Sequence, residues 1–166
     1  MSALEAGIAA PDFTLPTVDG KQVSLSDILK KGPVLLAFFK VSCPVCQYAF
    51  PFFERIFQAS RGANVTVLGV SQDDAKKAQA FMREFGVTFP VVIDNSSAGY
   101  ATSSAYGLTN VPTAFLIAPS REIEVSSVGW SKHDVEAIHQ RLADYRHQKP
   151  APLWRAGEDV QEFRAG

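Results

Sequence analysis

The sequence predicts an α/β domain with a mixed central sheet, flanked by helices and preceded by an N-terminal β-hairpin. Short apolar runs typical of buried strands alternate with stretches whose apolar residues recur at helical spacing. The predicted order is hairpin, β, α, β, α, β, α, β, β, α. Alternation of this kind requires a mixed sheet with helices on both of its faces.

Size and composition favour one self-sufficient domain. The chain has 166 residues, of which 46% are hydrophobic, and 16 basic against 17 acidic residues leave a net charge of -1. No basic stripe is present for nucleic acid, and the longest strongly apolar run, Val34–Phe39, is far shorter than the ~20 residues of a membrane helix. Because no secretory leader is visible, we expect a cytoplasmic location, with a periplasmic or exported one as the alternative if a leader was removed.

The hairpin is predicted where two short β-type runs flank Asp19-Gly20, a dipeptide that readily adopts the positive φ angles of a tight turn. Helix starts are marked by Ser26, by Asp73 or Asp74, and by the capping box that begins at Ser131. The elements predicted after the hairpin are a helical turn at 27–29, strands at 34–39, 65–70, 91–93, 114–117 and 123–128, and helices at 44–61, 74–85, 97–106 and 132–145.

The domain is predicted to span residues 1–147, followed by a C-terminal tail at 148–166. Lys149-Pro150-Ala151-Pro152 interrupts the helical pattern there, and four apolar residues remain as possible anchors. The tail is expected either to drape over the domain or to fray. The anchors are Leu153, Trp154, Val160 and Phe163.

The two cysteines of the chain, Cys43 and Cys46, stand between a predicted buried strand and a predicted helix. Cys43 is expected at the helix N-cap, with Pro44 at the first helical position, where its missing N–H costs nothing. Free N–H groups and the positive end of the helix dipole favour a thiolate, and the pKa of cysteines in such sites falls from ~8.5 to about 3.5–7.5. Cys43 is therefore the candidate nucleophile.

Cys46 lies three residues later, within reach of a mixed disulfide formed on Cys43. Two other interpretations of the pair are an inert buried pair and half of a zinc site. Zinc needs two further ligands, and the three histidines, His133, His139 and His147, lie in the terminal helix region without metal-ligand pairing. We therefore expect neither a metal nor another cofactor.

The segment Phe38-Phe39-x-x-Ser42-Cys43-Pro44-Val45-Cys46-x-x-x-x-Pro51 resembles the active-site segment of thioredoxin-like proteins. It is most similar to the TlpA-like branch of the redoxins, which is related to the AhpC/TSA peroxiredoxins. Supporting segments at 10–15, 89–94 and 111–117 occur in the expected order, so the resemblance covers about residues 8 to 145. It implies a thioredoxin-like fold for this domain.

The resemblance also implies site residues beyond the cysteines. The proline that matches Pro112 has a cis peptide bond in this family and packs against the cysteines. The backbone before it, at Val111, is then left free to pair with an extended substrate chain.

A further candidate comes from spacing alone. Lys40, three residues before Cys43, could stabilise the thiolate, although a solvated lysine at a strand end is the simpler interpretation.

The chain departs from the family pattern at three positions. Ser42 replaces the tryptophan that usually precedes the first cysteine, which makes the rim of the site more polar. Ala37 stands where thioredoxins carry a buried aspartate, and Ala49 where many TlpA-like proteins carry a glutamate. Attack by Cys46 is therefore expected to be slow or to rely on water.

We predict an enzyme, a thiol-disulfide oxidoreductase that acts on a disulfide-bearing client protein and is served by a dithiol electron donor. The first alternative is a peroxiredoxin-like thiol peroxidase, whose Pro-x-x-x-Thr-x-x-Cys motif and distant arginine activate peroxide. Here Leu36, Lys40 and Pro112 occupy those positions. The second alternative is a non-catalytic binding module with vestigial cysteines. The sequence leaves the oligomeric state open.

Overall fold

The fold was analysed in a computed structural model that describes residues 2–166. The central sheet consists of five strands, β3 (Val34–Phe39), β4 (Thr66–Ser71), β5 (Val91–Ile93), β6 (Thr113–Ile117) and β7 (Ile123–Val128). Their order in the sheet is β5-β4-β3-β6-β7. Strands β3, β4 and β5 are parallel, and β6 and β7 are antiparallel to their neighbours, which confirms the predicted mixed sheet.

Helices and the N-terminal segment cover both faces of the sheet. The helices are α1 (Leu25–Leu29), α2 (Pro44–Ala59), α3 (Ala75–Phe85), α4 (Ala101–Ala105) and α5 (Lys132–Tyr145). Alternate residues of the fully buried strand β3 point to the two faces: Leu35, Ala37 and Phe39 pack with α2, α3 and α5, and the others pack with α1 and the N-terminal segment.

The predicted N-terminal hairpin is present and consists of β1 (Thr14–Pro16) and β2 (Gln22–Ser24). The helix that follows begins earlier than predicted. Ser24, not Ser26, caps it by accepting the backbone N–H of Asp27 at 3.2 Å. Ser26 is the second residue of this helix, and its N–H donates to Asp12 Oδ1 at 3.0 Å.

The C-terminal tail packs along the domain instead of fraying. Leu153 and Val160 are buried, and the Trp154 ring lies against Phe52 of α2. Two short strands that the sequence did not predict, β8 (Trp130–Ser131) and β9 (Phe163–Arg164), pair antiparallel in a separate two-stranded sheet that holds the tail against the segment before α5. Phe163, expected as an anchor, is mostly exposed.

Candidate active site

The dithiol lies where strand β3 ends and helix α2 begins. Cys43 is the N-cap of α2, its Sγ accepts the backbone N–H of Cys46 at 3.2 Å, and Pro44 occupies the first helical turn. The predicted local structure is therefore present. The Cys43 sulfur thus lies at the start of α2, where the backbone N–H groups of the first turn have no partner within the helix.

The two sulfurs have different environments. Both cysteines are free thiols. Cys43 is half-buried, whereas Cys46 is fully buried. Burial raises the pKa of the Cys46 thiol far above its usual value, and a hydrogen bond with Cys43 raises it further. Cys43 is thus the accessible sulfur, and Cys46 is held protonated behind it.

The Val111-Pro112 loop approaches the dithiol from strand β6. The peptide bond between these two residues is cis, as the family resemblance implied. The Cys43 thiol donates to the carbonyl oxygen of Val111 at 3.5 Å, so Cys43 and this backbone segment are in contact. Thr113 Oγ1 donates to Asn110 O at 2.8 Å, and the N–H of Gly129 donates to Pro112 O at 2.8 Å, which fixes the loop on both sides.

Two residues that the sequence analysis did not assign to the site hold the loop before Cys43. The N–H of Val41 donates to Asp73 Oδ2 at 2.8 Å, and its carbonyl accepts Gln47 Nε2 at 2.9 Å. Asp73 is free for this role because Asp74 is the N-cap of α3. A signal was present in the sequence: Asp73 follows β4, which lies beside β3 and runs parallel to it.

Lys40 is brought to the site, but its side chain does not bind Cys43. Its backbone carbonyl accepts the N–H of Cys43 at 3.2 Å. The side chain is exposed and lines a polar cavity beside Val111. Within residues 2–166, no hydrogen bond or ion pair joins its ammonium group to the thiol.

The positions of the missing acids are buried and apolar. Ala37 in β3 and Ala49 in α2 are both fully buried in the core. Within residues 2–166, no carboxylate contributes to the raised pKa of Cys46, which burial and the hydrogen bond with Cys43 dominate. Across the part of the chain that the structure describes, no group of His, Cys, Asp and Glu side chains has metal-site geometry.

The terminal residues of the described chain also reach the site. Asn110 Nδ2 donates to the carbonyl oxygen of Gly166 at 3.3 Å. A Cβ placed on Gly166 would lie 2.3 Å from Val111 O, so this backbone is packed tightly against the same carbonyl that contacts Cys43. No pattern in the sequence predicts this contact.

A thioredoxin-like fold with a dithiol at a helix start defines a protein of the redoxin class. A sequence model of the AhpC/TSA family matches residues 6–126, so the chain belongs to the AhpC/TSA family. None of the helices described for residues 2–166 has the length and apolar character needed to cross a membrane.

Proteins similar to this chain share its fold and are named as thiol-disulfide enzymes. The chain is 33% identical over 122 residues to the thiol-disulfide oxidoreductase ResA of Bacillus subtilis, a match covering 73% of this chain and 66% of that one. For ResA of Geobacillus kaustophilus the identity is 32% over 137 residues, covering 81% of this chain and 76% of that one. A Chlorobium tepidum protein assigned as thiol:disulfide interchange protein DsbE aligns with a TM-score of 0.75 and 29% identity, covering 86% and 99%. These similarities confirm the predicted fold and the enzyme class, thiol-disulfide oxidoreductase.

Proposed function

We propose that the Cys-Pro-Val-Cys dithiol reduces or exchanges disulfides in client proteins, with Cys43 as nucleophile and Cys46 as the resolving thiol. One observation carries this proposal: the Cys43 sulfur accepts the Cys46 N–H and also touches the carbonyl of Val111. The Cys43 sulfur thus lies at the start of α2, where backbone N–H groups stabilise a thiolate. It also lies beside Val111, the backbone segment next to Pro112.

In the first step, the thiolate of Cys43 attacks one sulfur of the client disulfide. A Cys43–client S–S bond forms, the client S–S bond breaks, and the other client sulfur leaves as a thiolate that takes up a proton. The free donors at the start of α2 stabilise the attacking anion. The greater exposure of Cys43 gives the client access to this sulfur and not to Cys46.

In the second step, Cys46 attacks the Cys43 sulfur of the mixed disulfide. The Cys43–Cys46 bond forms, the bond to the client breaks, and the proton of Cys46 ends on the released client thiol. Because burial raises the pKa of Cys46, we expect its deprotonation to limit this step. A dithiol donor then reduces the Cys43–Cys46 disulfide and completes a two-electron cycle.

The client backbone is proposed to pair in β fashion with Val111, with Pro112 shaping the loop beside the cysteines. Pro44 starts α2 and keeps Cys43 at its N-cap.

The comparisons do not support the cytoplasmic location expected from the sequence. Protein disulfides persist in oxidising compartments. We therefore propose that the reaction takes place outside the cytoplasm, in the periplasmic or exported location given above as the alternative.

The test is turnover of a disulfide-bonded peptide by the wild-type chain, Cys43→Ser and Cys46→Ser, with excess dithiol reductant. We expect the Cys43→Ser variant to lose at least about a thousandfold in turnover, as nucleophile removal does in other enzymes. Undiminished turnover in that variant would refute the proposal, and inactivity of the wild type would favour the binding module. Hydrogen peroxide is the comparison substrate: efficient peroxide reduction would instead favour the peroxidase.

A further inference from the structure

A polar cavity of about 330 Å³ opens beside the proposed client-docking backbone. Val111 belongs to its lining and also accepts the Cys43 thiol, so the cavity and the nucleophile share a boundary residue. Its size is at the lower end of small-ligand pockets, about 300–1,000 Å³. Its polar lining residues include Lys40, Gln72, Ser103, Ser104, Thr109 and Asn110.

Lys40 is the only charged residue in this lining. It is exposed, and within residues 2–166 no carboxylate forms an ion pair with its ammonium group. The hydroxyls of Ser104 and Thr109 likewise have no hydrogen-bond partner in this range. The cavity therefore offers a cation and hydroxyl donors that its own side chains do not use.

Two acids lie next to lining residues, Asp73 beside Gln72 and Asp94 against Ser103, and within residues 2–166 neither forms an ion pair with Lys40. Asp73 accepts the Val41 N–H at 2.8 Å. Asp94 is fully buried behind the cavity wall, where its carboxylate accepts the N–H of Thr102 and both the N–H and hydroxyl of Ser103. Ser103 Oγ in turn accepts Gln72 Nε2 at 3.0 Å. The Asp94 carboxylate is thus enclosed by the donors of Thr102 and Ser103.

We propose that this cavity is a specificity subsite for an acidic side chain, Asp or Glu, next to the attacked cysteine of the client. The inference rests on the proposed function, because the client is positioned by pairing with Val111. Side chains of an extended chain alternate about every 3.3 Å, so a residue within two positions of the client cysteine reaches the cavity mouth. A carboxylate there forms charge-assisted hydrogen bonds with Lys40 and the free hydroxyls.

The test uses disulfide peptides with amidated C-termini that carry Glu, Gln or Lys within two residues of the cysteine. We expect kcat/KM for the Glu peptide to exceed that for the Gln peptide by about tenfold at low salt, and less at high salt. Lys40→Gln abolishes this preference and Lys40→Glu shifts it to the Lys peptide. Lys31→Gln, at an exposed lysine outside the cavity, keeps it.

Equal kcat/KM for the Glu and Gln peptides would overturn the subsite while leaving the proposed function intact. A uniform loss on all three peptides in Lys40→Gln would also overturn it, since Lys40 would then act on Cys43. No reduction of any peptide by the wild type would overturn the proposed function and the subsite together.

Discussion

Arg55 of α2 forms two parallel hydrogen bonds with Glu158 of the C-terminal tail, at 2.7 and 2.6 Å. A third bond runs from the Arg55 guanidinium to Leu153 O at 3.0 Å. The helix that begins with the dithiol is thereby joined to the segment that ends beside Val111. Paired, planar bonds of this kind fix geometry more firmly than a single contact does.

Docking of the C-terminal tail on α2 is predicted to weaken at acidic pH. The Arg55 guanidinium lowers the pKa of Glu158 to about 2. A carboxylate whose pKa falls on folding stabilises the folded form above its unfolded pKa, and this contribution is lost as pH falls through about 4 toward 2. The protection factors of residues 149–166, obtained from hydrogen-exchange rates corrected for the intrinsic effect of pH, are expected to fall over that interval. Glu158→Gln is the control, and an identical pH profile in it would exclude this pair as the cause.

Asp73 is predicted to position the loop before Cys43. Asp73→Ala removes the acceptor of the Val41 N–H and is expected to cost about 1–3 kcal/mol of stability and to lower the rate of the thiol exchange. Asp73→Asn, which keeps one acceptor oxygen, restores most of the rate. Asp74→Ala removes only the N-cap of α3 and costs about 1 kcal/mol. Chemical denaturation and single-turnover kinetics measure both effects, and equal rate losses in the Asp73→Ala and Asp74→Ala variants would contradict the positioning role.

The Gly166 contact is predicted to restrict access to Val111. In Gly166→Ala the new Cβ would lie 2.3 Å from Val111 O, so the segment must move away and lose its bond to Asn110. Release of one hydrogen bond of ~1 kcal/mol corresponds to about a fivefold rise in kcat/KM for a disulfide peptide. Ala165→Ser, at an exposed neighbouring side chain, is the control. A fall in kcat/KM for the alanine variant would show that this segment assists docking.

The two thiols are predicted to differ in alkylation. At pH 7 to 9, iodoacetamide should modify Cys43 first, because Cys46 is buried and its raised pKa keeps it protonated. Peptide mapping by mass spectrometry after timed quenching measures the order. Cys43→Ser tests Cys46 alone and should remain largely unmodified in the folded protein. Comparable modification of both cysteines in the wild type would contradict the assigned asymmetry.

The fold and the dithiol were predictable because they depend on local signals. Pro44 after Cys43 predicts a helix start, and the six apolar residues of β3 predict a buried strand. The cis bond before Pro112 came only from the family resemblance, since no local pattern distinguishes it. The bonds from Val41 to Asp73 and from Arg55 to Glu158 join residues 32 and 103 positions apart. No local periodicity encodes such pairs, and the strand pairing of the tail was missed for the same reason.

The central claim, that Cys43 attacks the client and Cys46 releases it, is tested most directly by trapping. Cys46→Ser, incubated with a disulfide-bonded client peptide, should accumulate a mixed disulfide that mass spectrometry locates on Cys43. Cys43→Ser should accumulate none, and the wild type should release reduced peptide and form the Cys43–Cys46 disulfide. Accumulation on Cys46 in the Cys43→Ser variant, with none on Cys43 in the Cys46→Ser variant, would contradict the account.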